Sequence, residues 1–228
     1  YFMVDSESEA LTRPEPIFNS DGTRYAMAQG NNGELYLISP YNDAVGRNFV
    51  RIESEGSIEY SMPERLSETG CFDVVNKTSA EGVFDYDVNA ALWSDGEEKT
   101  RSFALPDTTE IVPDDEGNFI FPEGAVLVKH FFHQSDYVET RLLVRFPTGW
   151  RGYSYEWSED QQEAYLLSGS KTIDIDGHMH TFPSPQQCFS CHSSAAQTSL
   201  GLELGQLNRN LPQFSVNTID FLNEAGYF

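Results

Sequence analysis

Ala125-Val126-Leu127-Val128-Lys129-His130-Phe131-Phe132 and the run that follows it, Tyr137-Val138-Glu139-Thr140-Arg141-Leu142-Leu143-Val144-Arg145-Phe146, decide the fold. The second run sets Val138, Leu142, Val144 and Phe146 on one face and Glu139, Arg141 and Arg145 on the other, the period-two signature of a half-buried strand. The first is more apolar and reads as more central. Its two faces are Ala125/Leu127/Lys129/Phe131 and Val126/Val128/His130/Phe132. Gly117-Asn118 and Pro122-Glu123-Gly124 punctuate the approach to it, and Arg151–Trp157 alternates again through Tyr153, Tyr155 and Trp157. Residues 81–183 therefore predict an antiparallel sheet or a small sandwich.

Working outward, residues 1–60 read as a β segment. Arg24–Gln29 and Glu34–Ser39 flank the hairpin signal Gly30-Asn31-Asn32-Gly33, and Phe49–Glu53 is a third strand. Residues 54–70 are Ser/Glu-rich with Pro63, and a linker over 61–80 is expected to lead to a β-rich domain over 81–228. The last 45 residues change character. Ser184 can cap a helix, Pro185 suits its first position and Gln187 completes a capping box, so a helix is expected over 186–196. Further short helices are expected over Gly201–Asn208 and over Thr218–Glu224, the latter capped by Asn217 and closed by Gly226. The expected class is α+β, mainly antiparallel β, with a short C-terminal helical segment at 184–228.

Composition bounds the function. A chain of 228 residues with 39% apolar content, including 16 Phe and 11 Tyr, can bury a core and is not a disordered polymer. Its first residue is Tyr1 rather than Met, and it reads as a processed protein or a piece of a longer one. No apolar run approaches the ~20 residues that span a bilayer. The net charge of −22 repels nucleic acid and anionic lipid, and suits either a plain solvated acidic shell or docking to a basic protein partner. Three cysteines, an odd count, argue against a disulfide scaffold.

The chemistry concentrates in Cys188-Phe189-Ser190-Cys191-His192. Two thiols three residues apart reach the two vinyl groups of a haem, and the next residue then falls under the iron. That order is what a covalently attached haem c requires. Cys188 and Cys191 are the candidate thioether anchors and His192 the proximal iron ligand, with its second ring nitrogen held by a carbonyl. The distal position stays open. Candidates are His130, His133, His178, His180, Met179, Met62, Met27 and Met3, or no ligand at all. Phe189, Phe131, Phe132, Tyr153 and Tyr155 are candidate pocket walls, since haem wants an apolar lining. A zinc site built from His178, His180, Cys188 and Cys191 is the rival reading, and two buried thiols without a cofactor are the plain one. Cys71 is expected to be a free buried thiol. Asp174-Ile175-Asp176-Gly177 reads as a turn, and Asp85, Asp87 and Asp95 as solvated acids unless they serve a site.

From Leu66 to Phe228 the chain resembles a bacterial c-type cytochrome domain. The runs that carry the resemblance are Leu66-Ser67-Glu68-Thr69-Gly70, Tyr86-Asp87-Val88-Asn89-Ala90-Ala91-Leu92-Trp93-Ser94-Asp95-Gly96, Glu139–Arg145, Trp150-Arg151-Gly152-Tyr153-Ser154-Tyr155 and Leu204-Gly205-Gln206-Leu207-Asn208-Arg209. Such domains often follow a β-propeller similar to quinone-dependent sugar dehydrogenases, and Gly33-Glu34-Leu35-Tyr36-Leu37-Ile38 resembles a strand of a last propeller blade. A second similarity is to the β-sheet cytochromes c-prime and their lysine-crosslinked relatives. It rests on the turn Phe121-Pro122-Glu123-Gly124, on Lys129 and on the haem motif, and it implies haem against an antiparallel sheet with Lys129 beside it.

These readings converge on one covalently bound haem c in an electron-transfer protein or the cytochrome part of an oxidoreductase, serving a dehydrogenase or a basic cytochrome. Since haem is joined to thiols outside the bacterial cytoplasm, a periplasmic or extracellular location is expected. The alternatives are an open-distal haem protein acting on small gases or nitrogen compounds, and a zinc-stabilised interaction module.

Overall fold

The computed structural model describes five strands within residues 1–60, and residues 61–94, 96–193, 198–210 and 216–228. The chain forms two compact units, Tyr1–Ser61 and Met62–Phe228. In the first, β1 (Met3–Val4) pairs with β2 (Leu11–Thr12), and β3 (Ala26–Gln29), β4 (Leu35–Ile38) and β5 (Phe49–Arg51) form an antiparallel meander. The three strands read from the sequence correspond to β3, β4 and β5, and the turn at 30–33 lies outside the described residues.

The second unit carries β6 (Phe72–Asp73), β7 (Thr78–Ser79), β8 (Val83–Tyr86), β9 (Glu98–Ala104), β10 (Val112–Pro113), β11 (Phe119–Ile120), β12 (Val126–His133), β13 (Asp136–Phe146), β14 (Gly149–Trp157), β15 (Ala164–Leu166), β16 (Lys171–Ile175) and β17 (His178–Phe182). Its body is an antiparallel sheet in the order β15-β14-β13-β12-β9-β8. The two strands that open the sequence argument, β12 and β13, lie at its centre. Their register breaks once, at a bulge between Phe131 and Phe132.

Both faces of this sheet are covered. One face presents Phe103, Leu127 and Leu143 to a core completed by Phe119, Leu202, Leu207 and Leu222 from outside the sheet. The other presents Val128, Leu142, Tyr155 and Trp157 to Leu66, Phe72 and Val74. The residues read as a linker at 61–80 thus belong to the second unit. Leu66 is fully buried on a 3-10 turn (Leu66–Thr69), and β6 follows. The expectation that one face of β13 meets solvent fails for the same reason: Leu143 and Glu139 share a face, and both are buried. At about 25 cal/mol per Å² of apolar surface, covering both faces is the main driving term for this unit.

The α+β assignment is corrected to a mainly antiparallel β fold. Of the helix expected over 186–196, the described residues, up to Ser193, form a 3-10 turn, Gln187–Ser190. The reciprocal bonds of the expected capping box do form: Ser184 N–H donates to Gln187 Oε1 at 2.8 Å, and Gln187 N–H donates to Ser184 Oγ at 3.3 Å. No apolar 3.6-residue repeat follows the cap, so it starts a turn that nothing prolongs. Helix α1 is one turn (Leu204–Leu207), and α2 (Thr218–Glu224) matches its expected bounds, with Asn217 Oδ1 accepting from Ile219 N–H at 2.9 Å. Among the described residues no helix is long and apolar enough to cross a membrane.

Candidate functional site

Antiparallel register builds the floor of the site. Arg101, Lys129, Arg141 and Ser154 stand opposite one another on β9, β12, β13 and β14, and on either side lie the rows Phe103, Leu127, Leu143, Gly152 and Lys99, Phe131, Glu139, Glu156. Period-two alternation sends all of them to one face. In a chain with 36 acidic and 14 basic residues, four cations therefore gather on one patch of sheet.

Above this floor sits the 184–192 turn. The Cys188 side chain presses on Gly152, where a Cβ would lie 2.6 Å from Cys188 Sγ. A glycine in mid-strand is what lets the turn approach. Cys188 is buried, and burial pushes its thiol up to about 11, whereas Cys191 is exposed. The His192 N–H closes the turn on Cys188 O at 3.0 Å. Its imidazole is then fixed at both ends: Nδ1 lies 2.5 Å from Thr198 O, and Nε2 lies 3.2 Å from Lys129 Nζ. A carbonyl acceptor places the proton on Nδ1 and leaves Nε2 as the lone-pair nitrogen. Burial, then the neighbouring Lys129 charge, lower the His192 pKa to about 3, so the ring is neutral.

A cavity of about 270 Å³ lies between turn and sheet. The sheet contributes Lys99, Lys129, Phe131 and Arg141, and the turn contributes Cys188, Cys191 and His192. Leu92 and Trp93, 57% and 77% exposed, border it as well and mark where it meets the surface. Burial and then the adjacent cations bring Lys129 down to about 7 and Lys99 to about 8. Lys99 also donates to Leu92 O and Ser94 Oγ, tying the Leu92–Ser94 segment to the floor.

Beside the cavity runs a buried polar network. Glu139, with no exposed surface, accepts from Arg141 Nε and Nη2 at 2.7 Å each, from Ser154 Oγ at 2.6 Å and from His180 Nε2 at 2.8 Å. Burial alone would raise its pKa, but the His180, Arg141 and Ser154 hydrogen bonds outweigh that and hold it below the ordinary value. Glu97 Oε1 stands 3.3 Å from His180 Nδ1, an ion-pair distance without hydrogen-bond alignment, so Nδ1 has no hydrogen-bond partner among the described residues.

The structure sorts the sequence candidates. Cys188, Cys191, His192, Lys129, Phe131 and His180 meet at the cavity. Tyr153 and Tyr155 do not: β14 turns them to the opposite face, where Tyr153 packs on the second core and Tyr155 Oη donates to Pro63 O. Phe132, beyond the bulge, packs on Tyr137, and Phe189 packs on the first core. Of the distal candidates, His130 lies on the far face against Phe72, bonded to Thr140 Oγ1 at 2.7 Å. His180 is held by Glu139. His178 and Met179 are exposed on β17, His133 pairs with Asp176, and Met62 packs on the second core. The side chains of Met3 and Met27, like Asp95, lie outside the described residues. The rival zinc set is not assembled, and among the described residues no three His, Cys, Asp or Glu side chains converge on a metal position. Asp85 accepts from Ser79 and Asp87 pairs with Arg209 at 3.0 Å, so both serve structure. Gly152, Lys99, Glu139, Arg141 and Trp93 escaped the sequence reading. The glycine amid aromatics and the charges inside an apolar strand were their only local signals.

A haem bound through thioethers needs two thiols and an imidazole on one wall, apolar surface for the macrocycle, and cations for its carboxylates. The residues present fit: the turn supplies the first set, Phe131, Leu127 and Leu200 line the cavity, and Lys99 and Arg141 put positive charge at its border, Lys99 bonded to Leu92 O and Ser94 Oγ and Arg141 paired with Glu139. Comparison with protein-family models, curated proteins and solved structures finds no match for this chain.

Proposed function

We propose that this chain is an electron-transfer c-type cytochrome carrying one haem, attached at Cys188 and Cys191 and ligated by His192. The carrying observation is the imidazole of His192, with Nδ1 on a backbone carbonyl and Nε2 turned into a cavity that both cysteines border. This is how proteins present a metal-binding histidine. A bound haem would supply a one-electron couple. The chain's own residues do the rest. Ser184 and Gln187 hold the turn, Gly152 lets Cys188 seat against the sheet, and Thr198 O fixes the imidazole tautomer. Lys99 and Arg141, though bonded to Leu92 O, Ser94 Oγ and Glu139, would put positive charge near the carboxylates. Leu92 and Trp93 lie where a redox partner would approach, and the acidic surface favours a basic one. The reading implies attachment outside the cytoplasm, in the periplasm or beyond.

The test is to produce the chain with haem-attachment machinery in an exported form and record its absorption and its mass in denaturant. One haem per chain, retained on unfolding, is expected. Colourless protein with free thiols at Cys188 and Cys191 overturns the proposal.

A further inference from the structure

Resting on the haem reading above, we propose that Lys129 is the second axial ligand of the iron, its amine rising from the sheet opposite His192. The two nitrogens already face each other across the cavity, 3.2 Å apart. Two opposed metal–nitrogen bonds of about 2.0–2.1 Å would set them about 4 Å apart, so the lysine arm has to withdraw by roughly 1 Å. A four-carbon stem on a rigid central strand absorbs that by small rotamer changes, without moving β12.

The surroundings leave Lys129 to this role. Among the described residues no carboxylate pairs with it. Glu139 is taken up by Arg141, Ser154 and His180, and Glu97 faces His180. The charged groups near it are Lys99, Arg101 and Arg141, together with Cys191 of the haem motif. Lys99 is spent on the Leu92–Ser94 segment, and Arg101 leans toward Asp87 at 3.7 Å. The other candidate donors are less well placed: His130 points through the sheet to the other core, and His180, which also lines the cavity, has Nε2 held by Glu139 and Nδ1 facing Glu97. A nitrogen on each side of the iron makes a low-spin, six-coordinate centre closed to small gases, which separates this reading from an open-site haem protein.

Spectra of the haem-loaded protein decide it. Wild type should be low-spin when reduced and unchanged by carbon monoxide, and proton resonances of a lysine side chain should lie far upfield in the ring current of the ferrous haem. Lys129→Ala should convert fully to a carbon-monoxide-binding form while keeping its Soret band. Lys129→Arg keeps the positive charge but cannot give up a proton to bind metal, so it should behave like the alanine variant. A wild type that binds carbon monoxide as isolated overturns the assignment, as do low-spin spectra in both variants. The wild-type resonances decide the matter even if a variant fails to fold. Absence of any Soret band in wild type would instead sink the haem reading itself.

Discussion

Lys129 and His130 are neighbours in the chain and face opposite worlds. The His130 face is buried and aromatic: Phe72 and Tyr137 pack on the imidazole, Trp157 packs on both of them, and Trp157 Nε1 donates to Thr140 Oγ1 at 2.9 Å. The Lys129 face carries a cation row, a fully buried carboxylate and a cavity. Both are covered, and the cavity lies on the Lys129 face. An apolar face reaches close packing with side chains alone. A face that carries a row of cations leaves a cavity of about 270 Å³.

Four changes would break or sharpen this contrast. The largest effect belongs to Glu139→Ala, which strands Arg141 and His180 beside the cavity. Removing one partner of a buried ion pair costs about 3–5 kcal/mol, and denaturant unfolding should show it. A loss under about 1 kcal/mol would mean that the network contributes little to stability. Next comes Gly152→Ala. Its Cβ would meet Cys188 Sγ at 2.6 Å and Cys188 Cβ at 2.8 Å, and overpacking of this kind costs about 1–3 kcal/mol. Haem attachment should fall with it, while Gly169→Ala, with nothing within 4 Å, serves as the control. Asn217→Ala removes the cap of the helix whose Leu222 covers the charged face and should cost about 1 kcal/mol, read as a lowered unfolding midpoint.

The smallest effect at neutral pH belongs to His130→Gln. Burial lowers the His130 pKa from 6.5 to about 3, so the unfolded chain takes up a proton there before the folded one does. Stability from this site is present above pH 6.5 and is lost progressively as pH falls toward 3. The glutamine variant should flatten that part of the stability–pH curve, and an unchanged slope would count against a neutral His130 in the buried core.

The strands were legible because alternation survives in sequence: β12, β13 and β14 lie where period two puts them. Which face held the site was not legible. Tyr153 and Tyr155 alternate correctly, yet the face they join is decided by Leu66–Val74 packing on one side and the 184–192 turn on the other, both far away in the chain. The cap at Ser184 was readable because it follows from local chemistry, whereas a carbonyl behind His192 was expected only as part of the haem reading, and Thr198 O stands there. The helix after that cap was not real, because capping starts a turn but only a buried apolar stripe extends it. The row Arg101–Lys129–Arg141 could not be seen at all without register, since its members come from three strands.

The bulge between Phe131 and Phe132 has a practical consequence. Past it, the hairpin tip at Gln134 and Ser135 is exposed, and Phe132 pairs with Tyr137 in a shifted frame. The irregularity insulates the ladder below from changes in loop length above. A fluorophore-bearing insert or an immobilisation tag spliced between Gln134 and Ser135 would leave Lys129 opposite Arg141, giving a handle for anchoring the molecule with its cavity intact.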